Sequence, residues 1–140
     1  MPIWQKPLTL DALNNDHPAG ASNNSGIEFT DFGDDYLTAR MPVDERTRQP
    51  YGILHGGASC LLAETVGSYA SMLCIDIEKH YCLGLEINAN HIRAISEGFV
   101  YATAKPQHLG RSTHVWEIII ADEKGKTVCI SRLTMLIKDQ

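Results

Sequence analysis

A long, nearly uncharged segment in the middle of the chain constrains the fold more than any other feature. It begins at His55-Gly56-Gly57 and continues to about Cys74, with Glu64 as its single acid. Its length and apolar spacing predict one α-helix from about Gly56 to Cys74. The paired glycines allow a tight turn and a close approach to the backbone where this helix begins.

The two sides of the predicted helix differ in character. At 100° per residue, one side is apolar and the opposite side is a polar stripe. A solvated face usually carries several Lys and Glu side chains, whereas this stripe carries one acid. Glu64 therefore either faces a pocket or is a buried acid with a structural partner, and the cost of burying an unpaired carboxylate favours a pocket. The apolar side carries Leu62, Val66, Tyr69 and Leu73, and the polar stripe carries Cys60, Glu64, Ser68 and Ser71.

Segments with strand character surround the helix. A short helix is predicted over residues 9–15, with Thr9 as its N-cap. Residues 16–25 are polar and rich in Gly, Pro and Asn, which is typical of a loop. Strands are predicted over residues 26–32, 36–43, 81–93, 98–106, 112–121 and 126–137.

This order of elements predicts an α+β fold in which an antiparallel sheet of about six strands wraps one long helix. Within the strand at residues 81–93, the alternation predicts that Leu83, Leu85, Ile87 and Ala89 share one side. An exposed edge at the end of such a sheet invites pairing with a second copy, so we expect a homo-oligomer.

Composition narrows the class of protein further. The 140 residues fit one domain, expected to span residues 1–140, and the net charge of −5 argues against a general nucleic-acid binder. Four scattered cysteines predict reduced thiols and a cytoplasmic location. We expect no signal peptide and no membrane segment. The histidines and cysteines lack metal-ligand spacing, so no metal is expected.

Several motifs together resemble the hotdog-fold acyl-CoA thioesterases. The segment from His55 to Ser59, followed by Glu64 and Ser68, is preceded by Gln-Pro-Tyr-Gly at residues 49–52. Further matches are residues 41–44, 84–91 and 131–134, so the resemblance covers nearly the whole chain. The match is best to the branch that hydrolyses aromatic acyl-CoAs, which includes thioesterases of menaquinone synthesis and of enterobactin proofreading.

The resemblance implies a role for each matched residue of the site. Glu64 corresponds to the nucleophile or general base, and the sequence does not choose between them. The backbone N–H of Gly56 corresponds to the group that polarises the thioester carbonyl. Gln49 and His55 correspond to residues that position the thioester and the helix start, and Ser68 to one that orients water. Taken alone, Ser68 could equally be a small packing residue.

The resemblance also implies a CoA-binding surface and an assembly. Arg93, Lys105, His108 and Arg111 supply cations for the CoA phosphates, although Arg93 and Arg111 alone could be ordinary surface charges. The family forms dimers that assemble into tetramers, with sites across the dimer interface. No cofactor is implied, because CoA is part of the substrate. The matched CoA-binding and acyl-binding positions are Gly84, His91, Ile92, Arg93, Ala94, His108, Leu109, Gly110, Arg111, Ser112 and Thr113.

The function implied is hydrolysis of an aromatic acyl-CoA, of the hydroxybenzoyl or 1,4-dihydroxy-2-naphthoyl type. A hotdog hydratase or dehydratase is disfavoured, because that chemistry usually needs a His beside the helical acid. A non-catalytic acyl-CoA-binding protein would have no need of Glu64. The acyl group is expected near Tyr69, Met72 and the loop at residues 16–25.

Overall fold

The computed structural model describes residues 1–15 and 19–140, so residues 16–18 of the predicted loop lie outside the described residues. Within the described residues, six strands form one antiparallel sheet in the order β1-β2-β4-β5-β6-β3. The predicted sheet with one long helix is confirmed. The elements are α1 (Leu10–Asn15), α2 (Ala21–Asn24), β1 (Glu28–Phe32), β2 (Leu37–Pro42), α3 (Gly56–Cys74), β3 (His80–His91), β4 (Phe99–Leu109), β5 (Thr113–Ala121) and β6 (Thr127–Asp139).

The free edges of the sheet are β1 and β3. The sheet therefore has the expected exposed edge, although the last strand in sequence, β6, lies between β5 and β3. The edge strand β3 carries two exposed apolar side chains, Leu83 (53% exposed) and Leu85 (60%). None of the helices in the described residues is both long and apolar enough to span a bilayer.

Helix α3 packs against the sheet through small residues. Its buried positions include Ala63, Gly67 and Ala70. A Cβ added at Gly67 would lie 2.6 Å from Leu133 Cδ2 and 2.8 Å from Ile118 Cδ1, so side chains of the sheet reach the helix backbone there. The buried side of the helix therefore combines this close approach with the fully buried side chains of Leu62 and Val66.

Ser71 corrects the predicted polar stripe. It is fully buried, and its Oγ accepts a hydrogen bond from Trp116 Nε1 at 2.7 Å and lies 2.9 Å from His114 Nδ1. The structure therefore separates Ser71 from the partly exposed Glu64 and Ser68. The predicted apolar side also shifts, because Tyr69 is only partly buried, with its ring 4.9 Å from that of Phe29.

A β-bulge in β3 corrects the predicted alternation. Gly84 lies opposite Met135 of β6 and Glu86 lies opposite Thr134, so Leu85 is the extra residue. Before the bulge Cys82 and Gly84 face α3, and after it Ile87 and Ala89 face the core. Leu83 and Leu85 consequently do not share a side with Ile87 and Ala89.

The two short N-terminal helices pack on different elements: α1 lies against β1, and α2 lies against α3. Thr9 Oγ1 accepts a hydrogen bond from Ala12 N at 3.1 Å, which confirms the predicted cap of α1. The predicted loop contains α2, whose Ser22 Oγ lies 3.1 Å from Thr65 Oγ1 on α3. This contact places α2 beside the partly exposed side of α3.

Candidate active site

The start of α3 presents an unused backbone donor. His55 is the N-cap, with extended backbone (φ −71°, ψ 131°), and its Nδ1 accepts a hydrogen bond from Gly57 N at 2.7 Å. Among the described residues, no acceptor lies on the N–H of Gly56. An unpaired N–H at the positive end of a 19-residue helix suits an oxygen that gains negative charge.

His91 lies directly against Gly56. A Cβ added at Gly56 would lie 2.9 Å from His91 Nε2 and 3.2 Å from both Cδ2 and Cε1. A side chain larger than hydrogen at position 56 would therefore displace this imidazole. The contact joins the end of β3 to the start of α3.

Gln49 lies in the loop that leads into the helix. Its Oε1 accepts a hydrogen bond from Tyr51 N, and its backbone N donates to Ile53 O at 2.9 Å. His55 N donates to Thr47 O at 2.8 Å in the same loop. The loop is thus held by its own hydrogen bonds close to the N-cap of α3.

Glu64 lies two turns further along α3 and points at the edge strand. It is half-buried, and its carboxylate lies against Gly84 of β3, where an added Cβ would overlap Oε2 and lie 3.0 Å from Cδ. Burial, and after it the negative charge of Glu64, raise the pKa of the Cys60 thiol one turn earlier. Gly84 therefore leaves the space that this carboxylate occupies.

A cavity of about 580 Å³ follows Glu64 along the same side of the helix. Ser68, Thr65 and Tyr69 line it from α3, and residues 19–22 line it from the segment that contains α2. A second cavity, of about 540 Å³, lies between α3 and residues 5–13. Tyr69 and Met72 line both cavities, so they form part of the wall between them.

The predicted catalytic residues form two groups within one chain. Gly56, His55 and Gln49 lie at the start of α3, whereas Glu64 and Ser68 lie further along it. Gly56 and Glu64 are eight residues apart, which corresponds to about 12 Å along the helix axis. One chain by itself therefore does not bring the backbone donor and the carboxylate together.

The predicted CoA-binding residues are also divided. His91 is paired with Cys129 of β6 and Thr113 with Leu136, seven residues further along the same strand. That separation corresponds to about 23 Å. Gly84 is paired with Met135 of β6, between the positions that pair with His91 and Thr113, and it lies against Glu64. The first group is His91, Ile92, Arg93 and Ala94, and the second is His108, Leu109, Gly110, Arg111, Ser112 and Thr113.

The side chains predicted to supply cations are exposed, and they lie in or near both groups of CoA-binding residues. Arg93 is exposed, and its Nε donates to Thr127 O at 3.4 Å. Arg111 is exposed in the turn between β4 and β5, His108 is exposed near the end of β4, and Lys105 lies opposite Glu117 in that hairpin. Within residues 1–15 and 19–140, no three His, Cys, Asp or Glu side chains come together in a way that could hold a metal ion.

Comparisons with known proteins agree with this architecture. A family model described as the thioesterase superfamily matches residues 51–129. A 1,4-dihydroxy-2-naphthoyl-CoA hydrolase from Escherichia coli K12 is 52% identical over 138 residues, which cover 96% of this chain and 98% of the relative. A proofreading thioesterase, EntH, from Cronobacter turicensis is 48% identical over 135 residues, which cover 96% and 98%.

A solved structure of a thioesterase is also similar to this chain. The crystal structure of a mutant thioesterase from Pseudomonas aeruginosa matches with a TM-score of 0.96 and 48% sequence identity, over 99% of each chain. The predicted resemblance to the hotdog thioesterases is confirmed, and the names of these relatives favour hydrolysis over hydratase chemistry or binding without catalysis. This chain belongs to the thioesterase (hotdog) superfamily and is a thioester hydrolase.

Proposed function

We propose that this enzyme hydrolyses aromatic acyl-CoA thioesters to the free acid and CoA, with each active site shared between two copies of the chain. Glu64 of one copy attacks the acyl carbon or activates water for that attack. The N–H of Gly56 of the second copy polarises the carbonyl. The observation that carries this proposal is the Glu64 carboxylate, directed at Gly84 on the free edge of the sheet.

The chemistry follows from the residues present. Thioester hydrolysis needs an activated attacking group and a donor for the developing oxyanion. Glu64 is the one acid of α3 and is half-buried against Gly84 of β3, so it supplies the first requirement. The unused N–H of Gly56 at the helix N-terminus supplies the second.

The free edge of β3 supports a site shared by two copies. Since β3 is a sheet edge with exposed Leu83 and Leu85, it can pair with β3 of a second copy. We consider an antiparallel register that sets His91 of one copy opposite Gly84 of the second copy. This register places the residue beside His91 close to the residue beside Gly84. Because His91 lies against Gly56 and Gly84 lies against Glu64, that register joins the two halves of the site.

The same pairing would gather the CoA-binding residues. It turns the second copy end to end, so its segment at residues 108–113, which joins β4 to β5, approaches the His91–Ala94 segment of the first. Arg93 of one copy and Arg111 of the other would then supply cations for the phosphates. We further propose that such dimers assemble into a tetramer and act in the cytoplasm without a cofactor.

The acyl group would enter the cavity beside Ser68. Its volume of about 580 Å³ lies in the range of small-molecule pockets, and Tyr69 and Met72 give it an apolar wall. An E. coli relative is named a 1,4-dihydroxy-2-naphthoyl-CoA hydrolase, which supports an aromatic acyl group and a role in menaquinone synthesis. The EntH name supports an aryl carrier-protein thioester as the second candidate substrate.

The test is release of free thiol, from CoA or from the carrier protein, in a short panel of thioesters. The panel contains 1,4-dihydroxy-2-naphthoyl-CoA, benzoyl-CoA, hexanoyl-CoA and an aryl carrier-protein thioester. We expect the aromatic CoA esters to react fastest and Glu64→Gln to lower kcat by at least about 100-fold. Glu45→Gln, which changes an exposed loop acid, is the matched control. Near-normal turnover by Glu64→Gln would refute the mechanism, and preference for hexanoyl-CoA would refute the aromatic substrate.

A further inference from the structure

The position of His91 is more specific than a general contact with CoA requires. After the bulge, Ile87 and Ala89 face the core side of β3, and the two-residue period places His91 on the same side. Its imidazole reaches the start of α3 and lies against Gly56. Both segments are tied together, since Leu54 N donates to Ile95 O at 2.8 Å.

The imidazole lies close to the unused backbone donor. Nε2 is 2.9 Å from where a Cβ of Gly56 would be. Since that Cβ position is a fixed two-bond distance from the backbone N, Nε2 lies within roughly 5 Å of Gly56 N. A carbonyl oxygen bound to this N–H would lie about 2.9 Å from the nitrogen. The thioester sulfur is bonded to the carbon of that carbonyl, so a thioester bound with its sulfur directed toward the end of β3 brings the sulfur beside Nε2.

We propose that His91 is a catalytic residue that donates a proton to the sulfur of the departing thiol, an inference that rests on the proposed function of the site. When the carbon–sulfur bond breaks, its electron pair goes to sulfur, and the proton on Nε2 follows to give the neutral thiol. The imidazole, left neutral, regains a proton from solvent. Glu64 with water supplies the oxygen of the product acid, so thioester and water give acid and thiol.

Histidine is suited to this step. An alkyl thiol such as that of CoA is a weak acid, comparable with cysteine at a pKa of about 8.5, so its thiolate is a poorer leaving group than an acidic aryl thiolate and gains more from protonation. An imidazole can carry a transferable proton in the same pH range. His91 is also exposed, so a substrate can reach its ring.

The test compares two small benzoyl thioesters that lack the nucleotide of CoA. Benzoyl-N-acetylcysteamine releases an alkyl thiol, whereas the para-nitrothiophenyl ester releases an acidic aryl thiol that needs no proton. We expect His91→Gln to lower kcat/KM for the alkyl ester by about 100-fold. For the aryl ester we expect a loss of less than about threefold. The ratio of the two rates within one preparation cancels any difference in the amount of folded enzyme.

Each other outcome has a defined meaning. Equal losses on both esters, or no loss on the alkyl ester, would overturn the proposal. Activity of His91→Gln on the alkyl ester well above that of His91→Ala would also overturn it, because glutamine keeps a hydrogen-bond donor but cannot give up a proton. Glu64→Gln should lose activity on both esters. If it retains activity, the proposed function fails, independently of the result for His91.

Discussion

Gly84→Ala should separate catalysis from folding. A Cβ at this position would overlap Glu64 Oε2 and lie 3.0 Å from its Cδ, so the carboxylate must move by at least a few tenths of an ångström. Displacements that approach 1 Å at a reacting group can cost about 100-fold in rate. We therefore expect kcat on benzoyl-CoA to fall by about 10-fold to 100-fold.

The stability of the folded chain should hardly change in the same variant. Gly84 is exposed on an edge strand and has no positive φ, so alanine is tolerated there and the free energy of unfolding should stay within about 0.5 kcal/mol. Release of CoA measures the effect on catalysis, and urea unfolding measures the effect on stability. In a Glu64→Ala background, Gly84→Ala should cause no further loss of activity. A wild-type kcat, or a loss explained by unfolding, would show that Gly84 does not make room for Glu64.

Three further predictions follow from packing and charge. Gly67→Ala should lower the free energy of unfolding by about 1–2 kcal/mol, because overpacking of the new methyl group against Leu133 and Ile118 costs about 2–3 kcal/mol and improved helix propensity offsets about 1 kcal/mol; an unchanged urea midpoint would contradict this. Burial, and after it the charge of His108, lowers the pKa of His114 in the folded chain. As the pH falls, the unfolded chain therefore binds a proton at His114 before the folded chain does. Stability should thus fall as pH drops below the ordinary histidine pKa of about 6.5, and this fall should shrink in His114→Gln. Leu83→Lys should abolish dimers in sedimentation velocity and lower activity with them, whereas an active monomer would exclude a shared site.

Local features were predictable because local residues determine them. The bounds of α3 follow from the glycines after His55 and from the length of the apolar segment, and the structure places the helix from Gly56 to Cys74. The hairpin between β5 and β6 follows from the turn at Asp122, whose backbone carbonyl accepts a hydrogen bond from Gly125 N. These features depend on interactions between near neighbours in sequence.

Features set by distant contacts could not be predicted. Leu85 continues a regular alternation, and only its pairing against β6 makes it a bulge. Ser71 fits a polar stripe by angle, but it is buried with hydrogen-bonding partners that Trp116 and His114 supply from β5. The division of the site into two halves likewise depends on the strand order, which places β3 at the edge.

Subunit mixing tests the shared site most directly. Glu64→Ala removes the attacking group, and Gly56→Pro, at the first position of the helix, removes the backbone donor and displaces the imidazole of His91 in the same half of the site. Each variant alone should be nearly inactive. If the site combines Glu64 of one copy with Gly56 of the other, random mixing makes half of the dimers mixed, each with one intact site, and restores roughly a quarter of wild-type CoA release. A mixture no more active than either variant alone would contradict the shared site.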